Sequence, residues 1–276
     1  MEISLQPSQV LRRHIALPSD HGSWVFLFSP LLIGLFAGRS WSVASLTLII
    51  AALSAFLVRQ PVTMLVKMYS GRRSRRDLPA AWFWLGVYGL IGGLALVALV
   101  LQGFAYLLIL ALPGIPVFTW HLYLVSRRAE RRQLGVELVG AGVLALAAPA
   151  AYWVGVGAPV PLGWALLVLA WLQSAASIVY AYLRLEQRDL PTVPDRRTRL
   201  RMGRRALLYA GFNLLLVVGL SLTAVTSPLL FIPYALQLAE TTYGTLRPAV
   251  GVKPTRIGVR QLLVSTLFTL LFILTW

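Results

Sequence analysis

The chain has 276 residues, a formal net charge of +16, 58% hydrophobic residues, only 12% charged residues and a mean hydropathy of +0.75. A soluble domain is about 25% charged and could not bury this much apolar surface, so a soluble globular fold is excluded, as is a solvated disordered chain. The sequence contains no cysteine, which removes disulfides, thiolate catalysis and cysteine-ligated metals.

Residues 1–20 are polar to mildly amphipathic and carry Arg12, Arg13 and His14. They lack a short apolar core with a small-residue cleavage site, so they are expected to remain as a cytoplasmic amino-terminal segment. From residue 21 onward the chain reads as one transmembrane domain, 21–276. Its apolar runs lie at about 21–38, 41–58, 80–101, 103–126, 133–154, 161–183, 203–225, 228–247 and 257–276. An 18-residue run rises about 27 Å, just enough to span a bilayer. The runs are continuous and show no strand alternation, which disfavours a β-barrel and predicts an all-α, polytopic bundle of nine membrane helices.

The charges orient that bundle. Basic residues cluster before the first run and between runs two and three, four and five, six and seven, and eight and nine. Together these positions hold 24 of the 25 Lys and Arg residues, all but Arg39. The positive-inside rule makes that side cytoplasmic. With nine crossings the amino terminus is then inside and the carboxyl terminus outside, as expected for a multi-pass protein of the inner or plasma membrane. The outer connections, around Gly38–Trp41, Leu101–Gly103, Gly155–Pro161 and Thr226–Pro228, are short, whereas the inner ones are longer and rich in Gly, Pro and Ser. The basic residues lie in short loops beside anionic lipid and carry no aromatic–basic recognition motif, so nucleic acid is not the expected partner. Membrane lipids are.

Polar residues inside hydrocarbon are costly and turn toward cavities or neighbouring helices. The sixth run carries Gln173, Ser177, Tyr180 and Arg184 at helical spacing, and the eighth carries Tyr234, Gln237, Glu240, Thr241, Gly244 and Arg247. Arg205, Tyr209 and Asn213 mark the seventh run, and Thr119, His121, Tyr123 and Ser126 the fourth. Each stripe becomes more polar toward the cytoplasmic end, which predicts either one cavity open to that side or ordinary interhelical hydrogen bonding. His21 and His121 are candidates for haem ligation, at no diagnostic spacing. The stretch Asp20-His21-Gly22-Ser23-Trp24 suits a helix start with an interfacial aromatic anchor and a polar head-group contact. Walker, HExxH, Rossmann and nucleophile-elbow patterns are missing.

Leu17-Pro-Ser-Asp-His-Gly-Ser-Trp24, followed by Ser29-Pro-Leu-Leu-Ile-Gly34, resembles the opening signature of the YwiC-like family of bacterial membrane proteins. Trp120-His121-Leu-Tyr-Leu, the Arg131 to Glu137 stretch and Pro149-Ala-Ala-Tyr152 are similar to that family's middle portion. More distantly, the nine helices and the long inner loops after helices two and six resemble the UbiA-type intramembrane prenyltransferases. Those enzymes hold Mg²⁺ and a prenyl diphosphate on aspartate-rich motifs in these loops. Here the corresponding stretches run from Arg59 to Lys67, with no carboxylate before Asp77, and from Arg184 to Asp189, with Glu186, Asp189 and Asp195 out of the expected spacing. The bundle carries over from that resemblance, whereas the Mg²⁺ chemistry does not follow.

Base stands where those enzymes keep acid. Arg59, Lys67, Arg72, Arg73, Arg184 and Arg188 are suited to contact phosphate, Arg by bidentate bonds and Lys as a point charge. The expected ligand is an anionic or isoprenoid amphiphile in a cytoplasm-facing cavity, near His21, Trp24, Arg59, Lys67, His121, Tyr180, Arg184 and Glu240. A small-solute transporter is an alternative, suggested by the prolines of the fourth and eighth runs, and an accessory protein of a respiratory complex is a third. No residue is assigned as catalytic.

Overall fold

The computed structural model describes residues 12–18, 21–129 and 133–276. All regular structure among them is helical, with no strand. In chain order the helices are α1 (Arg13–Ala16), α2 (His21–Ala37), α3 (Val43–Tyr69), α4 (Leu78–Leu101), α5 (Ala111–Ser126), α6 (Leu134–Ala145), α7 (Ala147–Val156), α8 (Leu162–Arg188), α9 (Arg196–Leu222), α10 (Phe231–Leu246) and α11 (Pro254–Thr275). Short 3₁₀ turns precede α4 (Arg75–Asp77) and α5 (Ala105–Leu110).

Every predicted run contains helix, but several ends move. The third helix of the chain, α3, continues to Tyr69 through Pro61, so Arg59 and Lys67, expected in a loop, lie within it. Their long stems let the charged heads reach the interface while the helix goes on. Helix α9 begins at Arg196, seven residues before its apolar run, because the Asp195 side chain accepts from the amides of Arg197 (3.0 Å) and Thr198 (3.4 Å). Proline sets two further departures. Pro113 and Pro116 crowd the start of α5, which is entered through the 3₁₀ turn at 105–110. Pro149 lacks the N–H that would bond to Ala145, and the predicted helix 133–154 breaks into α6 and α7 at Leu146.

Among the described residues, seven helical stretches are long and apolar enough to cross a membrane, with α6 and α7 together forming one of them. Helix α2, of 17 residues, is apolar but shorter, and α10, of 16 residues, is shorter and carries a polar face. Outward-facing Leu90, Leu94 and Leu101 on α4, Leu215 and Leu222 on α9 and Leu263, Leu270 and Leu274 on α11 are exposed. Such faces would cost heavily in water and suit lipid.

Helices α3 and α4 pack along each other, as do α9 and α10, and between these pairs α2 lies against α7. Small residues carry the α2–α7 seam. A Cβ on Gly34 would stand 2.2 Å from the Ala148 carbonyl oxygen, and one on Gly155 2.8 Å from the Gly38 Cα. Gly34 and Gly38 form a GxxxG face, which lets two backbones meet without side chains between them. The main core gathers Leu31, Ile33, Trp153, Leu166, Leu169, Tyr234, Phe268 and Phe272 around that seam and α8. A second cluster seats Ile15 of α1, fully buried, against Leu65, Met68, Ala80 and Ala81 of α3 and α4.

The basic connections are tied to one another. Arg12 and Arg73 (3.0 Å) both pair with Asp77, and Arg72 donates to the Val125 carbonyl at the end of α5. On the far side of the bundle the Gly251 amide donates to the Arg188 carbonyl (3.1 Å), and Arg199 donates to the Leu246 carbonyl (2.6 Å). The α8–α9 and α10–α11 connections therefore form one surface.

Candidate functional site

The polar stripes of α8 and α10 face each other, and α11 closes the third side. Tyr234 of α10 donates to the Leu169 carbonyl of α8 (3.0 Å), and Gln237 donates through Nε2 to the Gln173 carbonyl (2.9 Å) and to Ser177 Oγ (3.1 Å). Tyr180 donates to Glu240 Oε1 (2.8 Å). Gly244 is required at its position, since a Cβ there would lie 2.1 Å from the Tyr180 hydroxyl. From α11, Gln261 donates to the Ser177 carbonyl (3.0 Å), and Arg260 grips Glu240 with Nε (2.6 Å) and Nη2 (2.7 Å).

Arg184 has a structural task. It is 8% exposed, and its Nη1 donates to the carbonyls of Gly244 (2.7 Å) and Arg247 (2.7 Å) and to Gln187 Oε1 (2.9 Å). The last carbonyls of a helix have no partner within it, and here a guanidinium from α8 supplies one for α10. The Nη1 end of Arg184, expected to contact phosphate, is thus engaged with backbone carbonyls.

The result is a small cleft between α8, α10 and α11, lined by Ser177, Tyr180, Gln237, Glu240, Gln261 and Ser265, with room of about 20 Å³. That is space for a water-sized group. Charge collects at its basic end. Arg260 lies 4.5 Å and Arg247 5.4 Å from the Tyr243 ring centroid, and Arg184 lies 5.9 Å from the Tyr180 ring. Arg260 pairs with the carboxylate of Glu240, and Arg184 and Arg247 lie over the neighbouring tyrosine rings. The carboxylate side chain is 11% exposed and that of Arg260 is 45% exposed.

The remaining expected site residues lie elsewhere. Trp24 of α2 stacks on Phe28 (5.8 Å) and meets Phe56 of α3 (4.8 Å), and the Arg59 guanidinium lies over Phe56 (5.1 Å). These residues bring Trp24 and Arg59 together at the α2–α3 seam. Lys67 sits in the last turn of α3. His21 opens α2, and its side chain lies outside the described residues, as do Asp20 and Arg131. His121 is on α5, which packs on α3 and α6 and not on the α8–α10–α11 cluster. Its neighbours Thr119 and Ser126 bond to carbonyls of their own helix (2.9 and 2.7 Å), so the fourth stripe does not join the cleft. Asn213 of α9 donates to the Leu172 carbonyl (2.8 Å).

Three carboxylates of the basic connections are engaged with nearby residues. Asp77 is held by Arg12 and Arg73, with His14 at 3.4 Å; Asp189 pairs with Arg188 (2.7 Å); and Asp195 caps α9. Its bond from Thr198, with the adjacent amides, holds the Asp195 carboxyl below its ordinary pKa of 3.8. Among the described residues no three His, Asp or Glu side chains gather as a metal would need.

Arg260 was not singled out by the sequence. Its signal was indirect: Glu240 in an apolar run demands a cation, and Arg260 is one of the basic residues entering the last helix.

A bundle of long apolar helices with lipid-facing leucines, and with polar side chains turned inward onto one another, defines a helical, multi-pass membrane protein. Residues 17–152, just under half of the chain, match the family model described as YwiC-like protein. Over that stretch the chain is similar to the YwiC-like family, as the Leu17 to Trp24 motif indicated. None of the curated proteins and none of the solved structures matches the chain.

Proposed function

We propose that this YwiC-like membrane protein crosses the membrane nine times, with its basic connections in the cytoplasm, and binds an anionic amphiphile at the exposed basic rim of the α8–α10–α11 cleft, outside the small cleft itself. The observation that carries the reading is the ratio of three guanidiniums, Arg184, Arg247 and Arg260, to one carboxylate around Tyr180 and Tyr243. Arg184 is committed to backbone carbonyls, so the half-exposed Arg260, with Arg247, is the anion-facing part. A guanidinium offers five donors, and Glu240 accepts from only two nitrogens of Arg260. The uncompensated charge at this end attracts a phosphate or carboxylate head group, and the exposed leucines of α11 offer its chain an apolar surface.

Orientation follows from the distribution of basic residues and is tested directly, because the chain lacks cysteine. Ser74→Cys should react with an impermeant maleimide only in inverted vesicles and Ala158→Cys only in right-side-out cells. The binding reading is tested by mass spectrometry of lipids retained through purification in a mild detergent. An anionic amphiphile retained by the wild type and reduced at least tenfold in Arg247→Gln/Arg260→Gln supports it. Equal retention in the two proteins overturns it, and a protein that carries no amphiphile moves the weight to small-solute transport.

A further inference from the structure

Gln237 is 6% exposed, and its amide orientation is determined by its partners. Nε2 donates to the Gln173 carbonyl (2.9 Å), which can only accept, so oxygen cannot stand in that place. Oε1 is consequently turned elsewhere, and it is buried with no hydrogen-bond partner. A buried polar atom left unsatisfied is uncommon and points to an absent donor. Ser177 supplies the complement. Its Oγ accepts from Gln173 Nε2 (3.1 Å) and from Gln237 Nε2 (3.1 Å). These two donors occupy both lone pairs of the hydroxyl, and its proton is left to donate. Gln237 and Ser177 line the same cleft of about 20 Å³.

The geometry points to this cleft as a binding site for a single neutral hydroxyl group, which donates to Gln237 Oε1 and accepts from the Ser177 hydroxyl. Size excludes a phosphate, because the space admits one water-sized group. Charge excludes an ammonium, because Glu240 is already neutralised by the bidentate Arg260. The hydroxyl comes either from water or from the head of an amphiphilic alcohol whose chain leaves the cleft beside Val264. Once seated, it satisfies Gln237 and Ser177 in the middle of the row of polar contacts along α8 and α10 that begins at the Leu169 carbonyl and ends at Tyr180, Glu240 and Arg260. The inference deepens the binding reading, on which it rests for the identity of the cleft and its rim as the ligand site.

The test uses the full chain purified in mild detergent, with farnesol and its hydrocarbon counterpart farnesene as probes, and infrared spectroscopy in ordinary and oxygen-18 water. Two variants accompany the wild type: Gln237→Met, which removes the acceptor, and Ser265→Val, which fills the cleft and leaves the Gln237 bonds in place. If the hydroxyl comes from a ligand, farnesol raises the unfolding midpoint of the wild type, farnesene does not, and both variants bind farnesol about tenfold or more weakly. If it comes from water, farnesol has no effect, and the wild type shows an isotope-sensitive O–H band that Ser265→Val lacks. Equal stabilisation by farnesol and farnesene overturns the proposal, as does the absence of both the farnesol shift and the water band. Retention of an anionic amphiphile by the wild type in either of those cases leaves the binding reading standing, so the two failures are told apart.

Discussion

The same substitution is expected to have opposite signs at two glycines. At Gly34 an added Cβ stands 2.2 Å from the Ala148 carbonyl oxygen and 2.8 Å from the Ala151 Cβ, and both atoms belong to a packed helix, not to a flexible side chain. Contact of this kind relaxes only if α2 and α7 separate by about 1 Å, and overpacking on that scale costs about 3 kcal/mol. Alanine regains about 1 kcal/mol through its better helix propensity, which leaves Gly34→Ala destabilised by about 2 kcal/mol, roughly thirtyfold in the folding equilibrium. Gly86 on α4 has nothing within 4 Å of an added Cβ, so Gly86→Ala keeps only the propensity gain and should be stabilised by about 0.5–1 kcal/mol. Unfolding in mixed micelles of increasing denaturing-detergent fraction, followed by tryptophan fluorescence, measures both. A Gly34→Ala protein as stable as the wild type would refute the close α2–α7 seam.

Further substitutions probe the polar end of the bundle. Arg184→Met should cost about 3 kcal/mol, read in the same unfolding assay, because it removes charged hydrogen bonds to the carbonyls of Gly244 and Arg247. The Glu240–Arg260 pair should be coupled in a double-mutant cycle. Arg260→Met alone leaves a largely buried carboxylate unpaired and costs more than Glu240→Gln, and the double variant recovers part of the loss, with a coupling of about 1 kcal/mol after allowance for the exposure of Arg260. Asp195 provides a pH dependence. Its folded pKa is depressed, so its contribution to the first turn of α9 is complete above the ordinary value of 3.8 and is lost as pH falls through the lower folded value. Amide exchange at Arg197 and Thr198 should accelerate in that acidic window in the wild type and show no such step in Asp195→Ala.

The apolar runs made the helices readable, since hydrocarbon admits few other structures. What composition could not place were the charged helix ends. Arg59 and Lys67 read as loop because they are polar, but α3 carries them to Tyr69, and α9 likewise begins ahead of its apolar run, at Arg196, where Asp195 caps it. The stripes on the sixth and eighth runs meet in the structure, and most of their groups are spent on each other. The stripe of the fourth run has the same periodicity, but α5 packs away from the cleft, and period alone carries no information about which neighbour a face meets. Arg260 was hidden for the same reason, because its partner is 20 residues distant on another helix. The Ile15 plug, inside a segment too polar to be read as core, depends on Asp77 collecting Arg12 and Arg73, a tertiary pairing without a local pattern.

The central claim, that Arg260 and Arg247 at the basic rim of the α8–α10–α11 cleft bind an anionic amphiphile, meets its most direct test in one comparison. The amphiphiles retained by wild type and by Arg247→Gln/Arg260→Gln, purified side by side in the same mild detergent, are quantified by mass spectrometry per mole of folded protein. A discrete anionic species bound to the wild type and depleted at least tenfold in the variant is the result predicted. The same species at the same occupancy in both proteins would contradict the account.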